Sequence, residues 1–258
     1  MIFYIIFLLA IFFIFQSQLK NLQKFQNLQS SKYNYIFIHV AKINNYREVL
    51  DEILNYIQTS GILPKIETIY ICYIGKAGLD IKTSITNYKI KHVSENLRDF
   101  ECPTLREISL FSRNNQNANI LYLHTKGTSQ ALNSFSGEWR RYMLHWLLKY
   151  HEVCIDLLNQ HNVDTVGVNN INNYYAGNFW WAKASYINKL HIFAKNECHD
   201  ENKNIMQAHN RYKAEQWLLN NKISGQFVTI HQFKQVINGY NTDMSKTNYK
   251  NESPNPQK

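Results

Sequence analysis

Asn119-Ile120-Leu121-Tyr122-Leu123-His124-Thr125-Lys126-Gly127 passes without a linker from an apolar run into residues with polar or special backbone chemistry. The run Ile120 to Leu123 predicts a short buried strand. In open α/β sheets ligands bind at the carboxyl ends of the strands, so His124 to Gly127 marks the edge of a candidate site. Gly127 permits a turn or a close backbone approach, and Lys126 is a compact cation suited to phosphate. His124 and Thr125 offer hydrogen bonds. Taken alone, the stretch also fits a buried strand followed by an ordinary surface turn.

The flanking sequence alternates strand and helix patterns. Upstream, Tyr35 to Val40 reads as a strand, and apolar residues from Tyr46 to Ile57 recur at helical spacing until Gly61 and Pro64. Ile66 to Ile74 is a second strand, so a βαβ unit and hence a parallel sheet are expected. A third short strand is expected at Lys89 to Val93. Thr104 and Glu107 have capping-box spacing before Ile108, which predicts a helix leading into the 119–127 strand. Downstream, Thr128 to Phe135 is a polar loop long enough to fold over a ligand. Ser136 is the expected cap of the next helix, whose stripe from Trp139 to Leu157 is core rather than chemistry. Val163 to Val168 is another strand, Ala184 to Leu190 a short helix and His209 to Leu219 an amphipathic one. Gln226 to Ile230 is the last strand.

The termini differ from this pattern. Residues 1–16 are almost continuous Ile, Phe and Leu, a signal anchor or signal peptide, and 17–32 form a polar stem. The globular domain is expected over 33–240, with a disordered Asn-, Lys- and Pro-containing tail over 241–258. The formal charge is +9, but no block of five or six cations occurs. That argues against nucleic acid and fits small anions or an anionic membrane surface. Cys72, Cys102, Cys154 and Cys198 lack CxxC spacing, which leaves buried thiols or one or two disulfides. Cys198-His199-Asp200 has no second ligand pair and reads as a solvated loop.

A second informative stretch is Tyr175-Ala176-Gly177-Asn178-Phe179-Trp180-Trp181-Ala182. Tryptophan faces are platforms for sugars or bases, and an aromatic core strand is the alternative. Strand alternation would put Asn178 and Trp180 on one side, with Phe179 and Trp181 on the other.

The series Glu101-Cys102-Pro103-Thr104-Leu105, Leu121 to Gly127, Gly177 to Ala182, then Arg211 with Glu215 and Trp217 resembles a group of GT-A-like nucleotide-diphosphosugar transferases. It spans roughly residues 33 to 231 of the chain. The resemblance implies a Rossmann-like (GT-A) α/β fold, a mostly parallel sheet flanked by helices, in a single domain. It implies transfer of a sugar from a nucleotide-sugar donor to a hydroxyl of a glycan or glycoprotein acceptor. Donor binding would fall to His39, His124, Thr125, Lys126, Gly127 and Arg211, and sugar or acceptor contact to Asn178, Trp180 and Trp181. Glu215 would act as catalytic base, with Asp164 and Glu138 as alternatives. With the anchor over residues 2–15 in the membrane, the resemblance places the domain in the lumen of the ER or Golgi, whereas Lys20, Lys24 and Lys32 after the segment favour a cytoplasmic side on charge bias alone. Many GT-A enzymes carry Asp-x-Asp where this chain has His124-Thr125-Lys126. A fixed cation can neutralise a diphosphate instead, so Lys126 with Arg211 is expected to replace the metal. A divalent Mn or Mg ion remains the alternative. The competing readings are an inactive carbohydrate-binding protein and a membrane-tethered interaction protein of the same fold.

Overall fold

The computed structural model describes residues 33–160, 162–195, 197–199, 210–219, 223–233 and 247–257. The expected anchor and stem lie outside these residues. No helix among the described residues is long and apolar enough to cross a membrane.

The chain forms an α/β fold around a seven-stranded, mostly parallel sheet flanked by helices. Strand β1 (Asn34–Ala41) leads through helix α1 (Tyr46–Thr59) to β2 (Ile66–Ile74), and β3 (Tyr88–Ser94) follows. All three are parallel neighbours in the order β3-β2-β1. Helix α2 (Cys102–Asn114) then carries the chain back across the sheet, and β4 (Asn119–His124) pairs in parallel with the free side of β1. Outward growth from β1 therefore reverses between β1 and β4. Such a reversal opens a crevice at the carboxyl ends of the two strands, the place where open α/β sheets bind ligands.

Each strand is buried because a layer covers each face. On one side β1, β2 and β4 contribute Ile36, Ile38, Ile69, Ile71, Leu121 and Leu123 against α1 and helix α3 (Phe135–Leu144). On the other, Phe37, Cys72, Ile120 and Tyr122 pack against α2. Every residue of β4 is buried, so the apolar run that marks it in the sequence is the signature of a strand with no solvent face.

Beyond β4 the structure departs from expectation in informative ways. Ser134 rather than Ser136 caps α3, its hydroxyl accepting from the Gly137 N–H at 3.4 Å. The single stripe from Trp139 to Leu157 is carried by α3, a π-helical turn at His145–Lys149 and helix α4 (His151–Asn159). Strand β5 (Thr165–Val168) is followed by the two-residue strands β6 (Asn170–Ile171) and β7 (Tyr174–Tyr175), which form a separate hairpin. The chain then re-enters the sheet as β8 (Trp180–Lys183), antiparallel to both β4 and β5. A crossover helix would have been needed to keep β8 parallel, and a hairpin occupies that position instead. Helices α5 (Ala184–Ile187) and α6 (Arg211–Gln216) precede β9 (Phe227–His231), which closes the order β4-β8-β5-β9.

The tail is the main correction to the domain boundaries. Residues 247–257 pack against the sheet rather than being disordered: Tyr249 is buried, Gln257 bridges Thr229 on the edge strand β9, and Glu252 meets His231 Nε2 at 2.7 Å. Edge strands need such cover, and a segment without sequence periodicity can still supply it one contact at a time.

Candidate functional site

The site is built where β1 and β4 end side by side. The Thr125 N–H donates to the His39 carbonyl at 2.9 Å, and Thr125 Oγ1 accepts from the Ala41 N–H at 3.2 Å. The chain leaving β4 is thereby clamped to β1. It turns at once, with the Lys126 N–H donating to the His124 carbonyl at 2.7 Å and Gly127 at φ +85°. A Cβ on Gly127 would lie 3.0 Å from Ser136 Cβ, so glycine serves both the turn and the close approach of α3. Arg140 of α3, fully buried, donates to the Lys126 carbonyl. Glu52 of α1 holds Arg140 and also accepts from Arg141 Nε at 2.6 Å. Three elements thus fix the His124-Thr125-Lys126-Gly127 turn.

The His124 ring is oriented from across the sheet. Its Nε2 lies 2.9 Å from the Gly177 carbonyl, which can only accept, so Nε2 carries the proton and Nδ1 a lone pair. Burial lowers its pKa to about 3, with Lys126 and then Arg140 pushing in the same direction against the Gly177 hydrogen bond. The ring is therefore neutral at physiological pH. Gly177 can present that carbonyl because it has φ +90° and no side chain; a Cβ would sit 2.6 Å from Met143 Sδ and Trp139 Nε1. His39 lies deeper, its Nδ1 2.7 Å from Thr104 Oγ1, and burial lowers its pKa to about 4. Thr104 is thus the partner of a buried imidazole and not a helix cap, since α2 begins at Cys102.

Glu101 is the residue that sequence reading left without a role. It occupies the position before α2, where the helix dipole favours a carboxylate. Its Oε2 accepts from the Tyr122 hydroxyl at 2.9 Å and from Asn178 Nδ2 at 2.5 Å, and its Oε1 lies 3.8 Å from His124 Nδ1. Asn178 has the left-handed φ of +58°, and its Oδ1 accepts from Trp180 Nε1 at 2.9 Å. Phe100, immediately before Glu101, has φ +50° and ψ −136°, a conformation costing a non-glycine residue on the order of 1–3 kcal/mol. Strain at the residue that aims a carboxylate into a crevice is a functional signal. An acid directly before Cys-Pro at a helix start was its trace in the sequence.

Glu215 of α6 joins the same field. Burial raises its pKa, Lys126 and Arg211 lower it, and Glu101 raises it further. The guanidinium of Arg211 also lies 5.0 Å from the Tyr212 ring centre. His39, His124, Thr125, Lys126, Gly127 and Asn178 therefore gather at the switch point, and Glu215 and Arg211 are coupled to it electrostatically. Trp180 and Trp181 are fully buried, their indole N–H groups spent on Asn178 Oδ1 and on the Leu147 carbonyl at 3.0 Å. Their ring faces are closed to a stacking sugar; Trp180 acts on the site only through Asn178. Of the alternative bases, Asp164 precedes β5 at the opposite edge of the sheet and accepts from the Gln226 N–H, while Glu138 pairs with Arg141 at 2.9 Å.

Among the described residues no group of three or more His, Cys, Asp or Glu side chains could hold a metal ion. A cavity of about 400 Å³ lies at the carboxyl end of β3 and is walled by Cys102, Arg106 and Cys198. Cys102 and Cys198 are joined in a disulfide, and Cys72 and Cys154 are buried free thiols.

The model of a family described as a domain of unknown function, DUF8361, covers residues 33–228. No curated protein and no solved structure matches.

Proposed function

We propose, from the premise that the chain belongs to the DUF8361 family, that it is a glycosyltransferase of GT-A-like fold using a nucleotide-diphosphosugar donor and a hydroxyl-bearing glycan or glycoprotein acceptor. The observation that carries the reading is the buried Lys126 at the sheet's switch point, rigidly turned and in the same field as Glu215, Glu101 and Arg211. In the reaction the bond from the anomeric carbon to the diphosphate oxygen breaks and a bond to the acceptor oxygen forms. Lys126 and Arg211 neutralise the charge that develops on the leaving diphosphate, which preorganised cations do without reorganising. Glu215 takes the acceptor's proton, and its raised pKa makes it a stronger base than an exposed carboxylate. His39, His124 and Thr125 set the floor of the donor site.

One further feature supports this reading. The Cys102–Cys198 disulfide suits an oxidising compartment, in line with a lumenal domain on a membrane anchor.

The test is turnover of nucleotide sugars by the purified full chain with and without EDTA. Undiminished turnover under chelation, together with a loss of about 100-fold or more in Lys126→Ala, is expected, because removing one electrostatic stabiliser of a transition state typically costs that much. Loss of turnover on chelation would overturn the metal-independent assignment. Absence of donor binding and turnover under all conditions would overturn the enzyme.

A further inference from the structure

Glu101 and His124 present two hydrogen-bond acceptors to each other, and that arrangement is incomplete as it stands. Nε2 of His124 is committed as a donor to the Gly177 carbonyl, which leaves the Nδ1 lone pair facing outward. Glu101 Oε1 lies 3.8 Å away, too far for a direct hydrogen bond. The hydrogen bonds that described residues make to this carboxylate both run to Oε2, from Tyr122 and Asn178. Both side chains are largely but not wholly enclosed, at 11% and 16% exposed, so the gap between them can be reached from the crevice. Neither charge attraction nor a shared proton draws the pair together, because the imidazole is neutral. Two acceptors facing each other across a gap open to solvent are matched by a molecule that brings two donors into it.

We infer that the Glu101 Oε1–His124 Nδ1 pair is a subsite for neighbouring hydroxyl groups of a sugar ring, one hydroxyl donating to the carboxylate and its neighbour to the imidazole nitrogen. A primary ammonium could also bring two donors; Glu101 would attract it and Lys126, which acts on both His124 and Glu215, would repel it, so an amino-sugar probe decides between the two. A diol is neutral and escapes that repulsion. Tyr122, Asn178 and Trp180 then have a common purpose: they saturate Oε2 and lock the carboxylate so that Oε1 keeps its aim. The strained backbone at Phe100 is the cost of the same aim. Sugar binding at this pair does not depend on turnover; placing the bound sugar as the acceptor rests on the glycosyl-transfer reading.

The two nitrogens of His124 allow a clean test. A glutamine at position 124 can place its amide at the Nε2 position and keep the Gly177 tether while losing the Nδ1 acceptor. An asparagine does the reverse, offering an acceptor at the Nδ1 position and losing the tether. Saturation-transfer NMR on the full chain, with methyl glucoside, methyl mannoside, methyl galactoside and a 2-amino-2-deoxy glycoside as probes, reads binding directly. The expected result is transfer to at least one neutral glycoside, reduced about ten-fold or more in H124Q and in E101Q and retained in H124N. That loss corresponds to about 1.4 kcal/mol or more. Binding unchanged in H124Q, preference for the amino sugar, or no transfer to any neutral glycoside in the wild-type chain would each overturn the subsite. Nucleotide-sugar turnover measured on the same samples separates the two proposals. Glycoside binding without donor turnover sinks only the transferase, and turnover without glycoside binding sinks only the subsite.

Discussion

Glu215 and Glu101 sit in one electrostatic field, and the proton on Glu215 records its neighbours. Its pKa is raised first by burial, lowered by Lys126, raised by Glu101 and lowered by Arg211. A general base works only when ionised, so the rate must fall as pH drops through the pKa of Glu215. The acid limb of kcat/KM is therefore expected above the ordinary glutamate value of about 4.3. Removing the Glu101 charge takes away a repulsion that raises this pKa, so in E101Q the limb of the residual activity moves to lower pH. In Lys126→Ala it moves to higher pH. Glu215→Gln should lose about 10²–10⁴-fold and have no such limb. A limb at the same pH in wild type and E101Q would remove Glu215 from the role. Sequence alone pointed to Glu215 only through a resemblance, since a lone acid on a helix gives no local signal of burial. Glu101 escaped for the complementary reason: its chemistry comes from Tyr122 and Asn178, which are distant in sequence and reach it only in the fold.

At the scale of elements, the turn after β4 depends on a helix-to-helix ion pair. Arg140 on α3 holds the Lys126 carbonyl, and Glu52 on α1 holds Arg140. Arg140 is the deeper partner, and Glu52 keeps Arg141 when Arg140 is removed, so the charge is stranded only by breaking the pair from the Glu52 side. Glu52→Met is expected to cost about 3–5 kcal/mol in urea unfolding, whereas Glu52→Met combined with Arg140→Met should recover most of that loss, because an apolar pair of similar size avoids the desolvation penalty. The double variant should still bind nucleotide sugar poorly, as the carbonyl of Lys126 has lost its donor. Equal stability of the single and double variants would show that the pair is not coupled. The strands and α1 were legible because period and length are local properties: β2 was expected at the residues it occupies. Capping chemistry was less so, as Thr104 and Glu107 have the spacing of a cap but are drawn to His39 and Lys91 by tertiary contacts. The reversal of β8 was not legible at all, since strand direction depends on what the intervening Asn169 to Asn173 segment does with its left-handed residues.

For the molecule as a whole, the constraint with the longest reach along the chain among the described residues is the Cys102–Cys198 disulfide, which lies within the buried core. It ties the start of α2, beside Glu101, to the segment that leads towards α6 and Glu215, across a separation of 96 residues. Four cysteines without CxxC spacing could not say which would pair, because the pairing follows from sheet order, and sheet order is a non-local result. In the chain-entropy account, closing a loop of this length restricts the unfolded state by about 4.7 kcal/mol. A domain of ordinary stability has about 5–15 kcal/mol in total, so the bridge can be a third of it or more. Both sulfurs are buried, and Cys72 and Cys154 are buried and raised in pKa by burial, Cys72 to about 12, which makes them poor thiolates for exchange. Reduction should then be slow in the folded protein and drastic once it occurs. The expected outcome is that Cys102→Ser with Cys198→Ser lowers the guanidinium unfolding midpoint, a loss of several kcal/mol in unfolding free energy, and that a thiol reductant lowers the wild-type midpoint to the same value but leaves the double variant unmoved. An unmoved midpoint in the double variant would show that the bridge does not hold these elements.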